Sequence, residues 1–296
     1  MTDKSSFLVI GGDSLVGGGA VRALARRGHQ VLSTTRRSDT LNAQQIYLDF
    51  ESEAPFSVPP SVHYAFLIAA ATNYERCEKD PLARRINVEL IPRLVTSLLE
   101  QRLFVTFIST NSVFGGDRPW PKEDEPHAPG IAYAKQKSDG EKAIHAAAQR
   151  LNALDQLNIV RLTKILNPHV PPLPGWFSTW KRGEVVQPFS DLTFAPISVR
   201  FVGEALATIG EKRISGSLHL SGAENVTYVD LADAFARRLL IDAGLIAPTT
   251  AAEMGLNIPF KPRYSGLGMR RTTELSGIKP QTLGDVVDDL IAEIHH

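Results

Sequence analysis

A tyrosine and a lysine four residues apart, Tyr133 and Lys137, form the side-chain pair in this sequence best suited to move a proton. Residues at this spacing share one face of an α-helix, so the ammonium can lie near the phenol and lower its pKa from about 10. A phenol with a lowered pKa can donate a proton near neutral pH. The spacing alone also fits a solvated pair on a helix surface, so neighbouring motifs must decide.

A run of hydroxyl side chains precedes this pair in the sequence. The apolar residues 104–108 end in Ser109, Thr110, Asn111 and Ser112, which predicts a buried strand with hydroxyl groups at its end. The Thr110 hydroxyl could then hold a carbonyl oxygen that the Tyr133 phenol also reaches. The alternative is an ordinary turn, where Ser and Thr are common.

A glycine-rich turn near the start of the sequence predicts a dinucleotide site. Residues 7–10 read as a strand and residues 15–27 as a helix, with Gly11, Gly12 and Gly17 between or just inside them. Glycines permit a tight turn and let the backbone approach a pyrophosphate, which rests at the positive end of the helix. Ser14 stands where a third glycine is expected.

The next strand indicates which dinucleotide is bound. Residues 31–37 end in Arg36 and Arg37 and contain no acidic residue that could accept hydrogen bonds from a ribose 2′-hydroxyl. An arginine suits a 2′-phosphate, so the sequence favours NADP(H) over NAD(H), although solvated surface arginines are the alternative. Asp49 and Phe50 follow the third strand and are candidates to contact the adenine.

The elements that must position these groups alternate in the first half of the chain. Predicted helices cover residues 15–27, 81–102 and 132–154, and predicted strands cover residues 7–10, 30–34, 45–48, 64–70, 104–109 and 158–162. This alternation predicts an α/β fold, a Rossmann-type doubly wound parallel sheet with ligands at the carboxyl ends of its strands.

The alternation of strand and helix patterns ends after residue 164, where prolines interrupt a stretch that also holds Trp176, Phe177 and Trp180. Long irregular segments in compact domains are usually functional, so we expect part of a substrate pocket here rather than a simple connection. Helices are predicted over residues 228–240 and 283–294. We therefore predict a NADP(H)-binding Rossmann domain over residues 1–165 and a smaller, intertwined substrate-binding region over residues 166–296.

Composition narrows the function further. The 296 residues include 32 Lys and Arg and 32 Asp and Glu, so the zero net charge argues against nucleic acid as a partner. A single cysteine, Cys77, allows no internal disulfide and fits a reducing compartment. No apolar stretch is long enough for a membrane helix, so we expect a cytoplasmic protein. Apart from the adjacent His295 and His296, no histidines have metal-ligand spacing, and no bound metal is expected.

Taken together, these motifs resemble those of the extended short-chain dehydrogenase/reductases, and among them the dTDP-4-dehydrorhamnose reductase type. The resemblance covers nearly the whole chain. It rests on the glycine turn at residues 11–17, Ala69-Ala-Ala-Thr-Asn-Tyr74, Asn87, Ser109-Thr-Asn-Ser-Val-Phe-Gly115, the Tyr133 and Lys137 pair, and Pro262-Arg-Tyr-Ser265.

The resemblance implies roles for individual residues. Tyr133 would be the catalytic acid, Lys137 its pKa partner and the anchor of the nicotinamide ribose, and Thr110 the hydroxyl that orients the substrate carbonyl. Asn87 would support the sheet. The implied cofactor-binding residues are Gly11, Asp13, Ser14, Leu15, Val16 and Gly17 at the pyrophosphate turn, Arg36 at the adenosine phosphate, Asp49 and Phe50 at the adenine, Ala69, Ala70 and Ala71 near the nicotinamide, and Lys137.

The substrate side departs from the family pattern. Asn111 and Ser112 stand where the reductases often have Asp and Tyr, and Lys164 stands where the family often has an apolar or aromatic residue. We predict that Asn111 contacts the substrate and that Lys164 contacts an anionic part of it. Trp176 and Arg263 are further substrate candidates, although core packing is an equal alternative for Trp176 and Trp180.

The predicted function is that of an NADP(H)-dependent reductase acting on the keto group of a nucleotide-linked sugar or a similar carbonyl compound. In this reaction the nicotinamide delivers hydride to the carbonyl carbon and Tyr133 protonates the oxygen. The resemblance also implies a homodimer. Two alternatives stay open: a sugar-nucleotide epimerase or dehydratase with tightly bound NAD(P), and a non-catalytic NADP(H)-binding regulatory module.

Overall fold

The chain forms a large parallel sheet and two short strand pairs in the part that the structure, a computed structural model, describes, which is residues 6–52 and 56–294. His295 and His296 lie outside these residues. The strands are β1 (Ser6–Ile10), β2 (Gln30–Thr35), β3 (Gln45–Tyr47), β4 (Tyr64–Leu67), β5 (Phe104–Thr110), β6 (Leu157–Leu162), β7 (Lys164–Leu166), β8 (Thr193–Phe194), β9 (Pro196–Ser198), β10 (Gly216–Leu220) and β11 (Val226–Thr227).

The main sheet has the strand order β10-β6-β5-β4-β1-β2-β3, and its neighbouring strands are all parallel. Phe7 of β1 pairs with Val31 of β2 on one side and with Tyr64 of β4 on the other. The direction in which the chain adds strands therefore reverses at β1, which opens a crevice at the carboxyl ends of β1 and β4. The predicted doubly wound α/β fold is confirmed.

Helices cover both faces of this sheet. They are α1 (Leu15–Arg26), α2 (Tyr74–Lys79), α3 (Pro81–Arg85), α4 (Ile91–Glu100), α5 (Ala132–Arg150), α6 (Leu173–Lys181), α7 (Val199–Lys212), α8 (Tyr228–Leu239), α9 (Arg270–Ser276) and α10 (Leu283–Ile294). Strand β1 shows why both faces need covering, because its side chains are buried along its whole length. Phe7 and Val9 pack with residues of α1 and α7, whereas Leu8 and Ile10 pack with residues of α4 and α5.

Three predicted elements differ from the structure by more than two residues, and one of them, the helix expected over residues 132–154, ends at Arg150. The helix expected over residues 81–102 is divided into α3, a π-helical turn (Ile86–Leu90) and α4. Pro92 lies in the first turn of α4, and because proline has no N–H group it cannot continue a regular ladder from the preceding turn. The strand expected over residues 64–70 ends at Leu67, which leaves Ala69, Ala70 and Ala71 in a loop at the sheet edge.

The C-terminal half contributes to two hydrophobic clusters. Helix α7 packs along α1, and β10 pairs with β6 at the edge of the main sheet, so both rejoin the first half of the chain. Residues of α6, α8 and α10 form a separate cluster of their own with Phe194 and Val226. Residues of the second half thus pack both on the main sheet and in this separate cluster. The predicted domain boundary at residue 165 stays a prediction.

Two kinds of feature are absent from residues 6–52 and 56–294. No helix there combines the length and apolar character needed to cross a membrane. The same ranges hold no group of three or more His, Cys, Asp or Glu side chains that could bind a metal ion.

Candidate active site

The catalytic candidates come from two elements that meet at the carboxyl edge of the sheet. Strand β5 is buried throughout and ends at Thr110, which caps a short 3₁₀ helix (Asn111–Phe114) by accepting a hydrogen bond from the Ser112 N–H. Helix α5 begins at Ala132, so Tyr133 lies in its first turn and Lys137 one turn later. Thr110 and Tyr133 line the same cavity.

Lys137 is buried against strand β5 and is only 3% exposed. Its ammonium donates a hydrogen bond to the Ile108 carbonyl oxygen at 2.7 Å and lies 4.0 Å from the centre of the Phe107 ring. Burial lowers the pKa of Lys137 to about 7, although the Glu141 carboxylate opposes this shift. The ammonium can therefore lose its proton near neutral pH.

The effect of Lys137 on Tyr133 differs from the prediction made from their spacing. Burial raises the pKa of the Tyr133 phenol above its usual value, and the Tyr74 hydroxyl group adds to this rise, while the Thr110 hydroxyl opposes it. The expected lowering of this pKa by Lys137 is wrong in direction for the protein alone, because the Lys137 ammonium is directed at the Ile108 carbonyl.

A cavity of about 590 Å³ lies in front of Thr110 and Tyr133. Predicted substrate residues Asn111 and Lys164 both line it. The remaining lining residues come from the start of α2, from β7 to β8, from the start of α8 and from the C-terminal loop: Thr72, Tyr74, Ser112, Thr163, Ile165, Leu192, Thr193, Phe194, Tyr228, Ile258, Phe260, Lys261, Pro262 and Ser265.

Asn111 and Lys164 occupy different situations in this cavity. The Asn111 amide donates to the Ser265 carbonyl and hydroxyl oxygens, both at 2.9 Å, and so ties the C-terminal loop to the catalytic strand. Lys164 begins β7 with its side chain exposed at the cavity, and partial desolvation there lowers the pKa of its ammonium. Among the residues that the structure describes, no carboxylate forms an ion pair with Lys164. An anionic ligand would compensate this charge.

Trp176 and Arg263 do not reach the cavity. Trp176 is 7% exposed and packs against Trp180 and Tyr228 in the hydrophobic cluster of the C-terminal half. Because Trp176 and Trp180 lie four residues apart on α6, both face the core, and the substrate contact of Trp176 stays a prediction. The Arg263 side chain is exposed, with its guanidinium 5.2 Å from the Tyr264 ring.

A second cavity, of about 430 Å³, lies at the crevice between β1, β2 and β4. It collects most of the predicted cofactor residues: Gly11, Asp13, Ser14, Arg36, Asp49, Phe50, Ala69, Ala70 and Ala71. Leu15 instead lines a neighbouring groove on the outer side of the glycine turn, and Val16 packs on the hydrophobic core. Val16 therefore packs on the core and does not line the cavity.

The glycine turn fits a bound dinucleotide. Gly11 has a φ of +91°, and a Cβ atom there would lie 2.7 Å from the Ala69 backbone nitrogen. A Cβ atom on Gly17 would lie 2.1 Å from the Gly11 carbonyl oxygen, so the loop, α1 and the end of β4 approach one another closely. The turn itself lines the cavity through Gly11, Asp13 and Ser14, directly before the start of α1.

Ser14 replaces the middle glycine without disturbing this turn. Its hydroxyl donates to the Gly11 carbonyl oxygen at 2.7 Å and accepts from the Gly17 N–H at 3.0 Å, so it serves as the N-cap of α1. The polar side chain thus closes the glycine turn on itself. Asp13 accepts a hydrogen bond from Thr35 at 2.5 Å and pairs with Arg37 at 3.2 Å, which holds the end of β2 beside the turn.

Asn87 fastens the loop after β4. Its side-chain oxygen accepts from the Ala71 N–H at 3.0 Å, and its amide donates to the Ala71 carbonyl at 2.9 Å and to Gln136 at 2.8 Å. Gln136 lies on α5 beside Lys137, and sequence reasoning did not single it out. Its position between Tyr133 and Lys137 could have identified it, because the residues between these two on α5 must pack against the rest of the protein.

Sequence reasoning also missed the contribution of Tyr74 and Ser112 as side chains of the site. Both line the larger cavity, and the rings of Tyr74 and Tyr133 lie 5.4 Å apart between centres. Tyr74 begins α2 directly after its N-cap residue Asn73. Only the fold brings this helix start beside the first turn of α5.

Comparison with known proteins places this arrangement in a family. The family model described as "RmlD substrate binding domain" matches residues 5–296. A protein of Streptomyces antibioticus named "Probable dTDP-4,6-dihydroxy-2-methyloxan-3-one 4-ketoreductase" is 29% identical over 237 residues, which are 77% of this chain and 78% of that protein.

Solved structures show the same fold. A dTDP-4-dehydrorhamnose reductase from Bacillus anthracis in complex with NADP has a TM-score of 0.79 at 17% identity, with 99% of each chain covered. The structure titled "MoeE5 in complex with UDP-glucuronic acid and NAD" has a TM-score of 0.77 at 21% identity, covering 98% of this chain and 99% of the other. One of these neighbours holds NADP and the other holds NAD.

Replacing Lys137 by methionine should stabilise the protein without added cofactor. The pKa of Lys137 is about 7 in the folded state and about 10.4 when unfolded, so below pH 7 folding carries the full cost of burying the ammonium. Between these pH values the unfolded state holds more protons, and wild-type stability rises with pH. We expect Lys137→Met to raise Tm by roughly 5 °C at pH 6 and by little near pH 10.

The measurement is thermal unfolding of both proteins across this pH range. Lys135→Met is the matched control, because Lys135 is an exposed lysine of the same helix and its removal should change Tm little at any pH. A Lys137→Met variant that is less stable than wild type at pH 6 would contradict the interpretation.

Proposed function

The chain belongs to the RmlD substrate binding domain family and is an oxidoreductase of the extended short-chain dehydrogenase/reductase type, and we propose that it is an NADP(H)-dependent reductase. Its proposed substrate is the keto group of a nucleotide-linked sugar or a similar carbonyl compound. The relative from Streptomyces antibioticus, which is named a 4-ketoreductase of a dTDP-linked compound, supports this substrate class.

One observation carries the proposal: the two cavities adjoin at Thr72, which lines both of them. The larger cavity presents Thr110 and Tyr133, and the smaller one presents the glycine turn and the loop Ala69–Ala71. A ligand that extends along the smaller cavity can therefore bring one end beside the phenol. A reductase requires this geometry, because the hydride donor and the proton donor must reach the same carbonyl group.

The side chains then have distinct tasks. When bound, the nicotinamide supplies the hydride. Thr110 holds the carbonyl oxygen by hydrogen bonding, and Tyr133 donates its proton to that oxygen as the alcohol forms. Lys137, whose ammonium is buried beside strand β5, supplies a donor for the nicotinamide ribose.

The larger cavity argues for a reductase rather than a dehydratase. Dehydratases need a carboxylate beside the catalytic hydroxyl, whereas the described residues that line this cavity include neither Asp nor Glu. Asn111 occupies the adjacent position and is committed to Ser265. Three aromatic side chains, Phe194, Tyr228 and Phe260, offer apolar faces for a base or a sugar ring.

Removal of the Tyr133 hydroxyl tests the proposed reaction. Tyr133→Phe should lower kcat by about 10²-fold or more with any keto sugar nucleotide that the wild type reduces, because the general acid is lost. The assay follows oxidation of NADPH during reduction of a panel of nucleotide-linked keto sugars. Unchanged affinity for NADPH serves as the control for folding, and retained turnover by the variant would show that another group donates the proton.

The preference for NADP(H) rests on Arg36, which lines the smaller cavity at the end of β2. A guanidinium that binds a 2′-phosphate contributes a charge-assisted hydrogen bond worth about 1.5–3 kcal/mol. We expect Arg36→Ala to weaken NADPH binding by at least about tenfold and to leave NADH binding unchanged. Fluorescence titration with both cofactors measures the difference, and an equal loss for NADH would contradict a 2′-phosphate contact.

The proposed role of Lys164 is to bind an anionic part of the substrate, since it brings an uncompensated ammonium to the cavity. Lys164→Ala should raise KM for an anionic substrate about tenfold with a smaller change in kcat, because a charge-assisted contact is lost. Steady-state kinetics measures both constants. An unaltered KM would remove Lys164 from the substrate site.

A further inference from the structure

The larger cavity carries a positive charge that the protein itself does not balance. Among the described residues that line it, the charged side chains are those of Lys164 and Lys261. The Lys261 ammonium pairs with the Asp191 carboxylate at 2.5 Å, and this carboxylate also accepts from the Ala251 N–H at 3.1 Å. Lys164 is exposed at the cavity, and no carboxylate of the described residues pairs with it. Of the two lysines, Lys164 therefore offers its ammonium to a ligand without a competing anion.

The fold places Lys164 close to the proposed catalytic hydroxyl. Thr110 at the end of β5 pairs with Leu162 at the end of β6, and Lys164 follows two residues later. The intervening Thr163 N–H still donates to the Leu220 carbonyl of β10, so the chain stays extended and Lys164 lies on the same face as Leu162. At about 3.3 Å per residue and about 4.8 Å between strands, the Cα atoms of Thr110 and Lys164 lie roughly 8 Å apart. A sugar ring held at Thr110 by its keto group is therefore within reach of the Lys164 side chain.

The diphosphate of a nucleotide sugar matches this lysine less well than a group on the sugar does. Proteins commonly hold phosphates through the forked donors of arginine or through the N–H groups at a helix start. No arginine is among the described residues that line the cavity. Helix α8 starts at the cavity wall with Tyr228, but its Asp230 N–H already donates to the Thr227 hydroxyl, and the Asp230 carboxylate disfavours a second anion there. A single ammonium on a flexible stem instead matches a single carboxylate.

We propose that the substrate is a nucleotide-linked keto hexuronate, a sugar whose ring carries both the keto group and a carboxylate, and that Lys164 binds this carboxylate. This inference rests on the proposed reductase activity and names its substrate class. Reduction leaves the carboxylate unchanged, because the new C–H and O–H bonds both form at the keto group, with hydride from the reduced nicotinamide and the proton from Tyr133.

The surroundings of Lys164 favour an anionic partner over a neutral one. Partial desolvation lowers the pKa of its ammonium, which means that the charged form is less well solvated in the cavity than in water. A carboxylate in contact with the ammonium replaces the lost solvation through a charge-assisted hydrogen bond, and a neutral sugar hydroxyl does so less strongly. The residues on either side of Lys164, Thr163 and Ile165, also line the cavity and bring no charge of their own.

Binding of two ligands that share their nucleotide tests this inference. UDP-glucuronic acid carries a carboxylate where UDP-glucose carries a hydroxymethyl group, so the base and the diphosphate contribute equally to both affinities. Isothermal titration calorimetry with the protein saturated with NADP⁺ measures the two dissociation constants. We expect the wild type to bind UDP-glucuronic acid at least about tenfold more tightly than UDP-glucose, because the former alone gains a charge-assisted contact with Lys164.

Variants of the two lysines identify the group that causes the preference. Lys164→Met should weaken binding of UDP-glucuronic acid about tenfold and leave that of UDP-glucose unchanged, whereas Lys164→Arg should keep the preference because it keeps the charge. Lys261→Met is the matched control, since Lys261 lines the same cavity but is already paired with Asp191, and it should also keep the preference. Equal weakening of both ligands by Lys164→Met would place this lysine at the diphosphate and overturn the inference.

The binding experiment needs no turnover, so its failure is distinct from failure of the proposed function. A wild type that binds both ligands equally well, or binds neither, overturns the keto hexuronate as substrate even if the protein reduces neutral keto sugars. A wild type that prefers UDP-glucuronic acid through Lys164 but oxidises no NADPH with any keto sugar nucleotide keeps the carboxylate site and loses the reductase activity instead.

Discussion

A buried ion pair between Arg161 and Glu141 holds helix α5 against the sheet. The guanidinium of Arg161, on β6, contacts both carboxylate oxygens of Glu141, on α5, at 2.8 to 3.2 Å, and the two side chains are 5% and 4% exposed. Arg161 also donates to His127 at 2.9 Å and lies 3.2 Å from His219. Removing one partner of such a pair leaves a buried charge and typically costs about 3–5 kcal/mol.

The same guanidinium organises the substrate side of the site through His219. Burial and the charge of Arg161 lower the pKa of His219 to about 3, so the ring is neutral; its Nε2 accepts from Arg161 and its Nδ1 donates to the Gly268 carbonyl at 2.9 Å. Gly268 ends the loop that carries Ser265, whose hydroxyl and carbonyl oxygens accept from Asn111. Helix α5, the sheet and the C-terminal loop are thereby all held by the Arg161 guanidinium, directly or through His219.

The sequence predicted those parts of the fold whose structure depends on residues that are close together in the chain. The strand, glycine turn and helix around Gly11 have a periodicity and a turn chemistry that few other structures use. The burial of Trp176 was harder to predict, because an aromatic residue in a proline-rich stretch shows its burial only once α6 is formed and turned toward the core. The positions of Tyr74 and Arg161 depend on contacts between residues distant in sequence. Charge or residue type alone does not reveal the partners in such contacts.

Glu141, the ion-pair partner of Arg161, also affects the pKa of Lys137, which lies one turn before it on α5. The Glu141 carboxylate raises the pKa of Lys137, but burial lowers it more strongly. Because both oxygens of the Glu141 carboxylate already accept hydrogen bonds from the Arg161 guanidinium, this carboxylate attracts the Lys137 ammonium less strongly. The fold therefore keeps the lysine close to an acidic residue without letting the two form a pair. The Lys137 ammonium is instead held by the Ile108 carbonyl of β5.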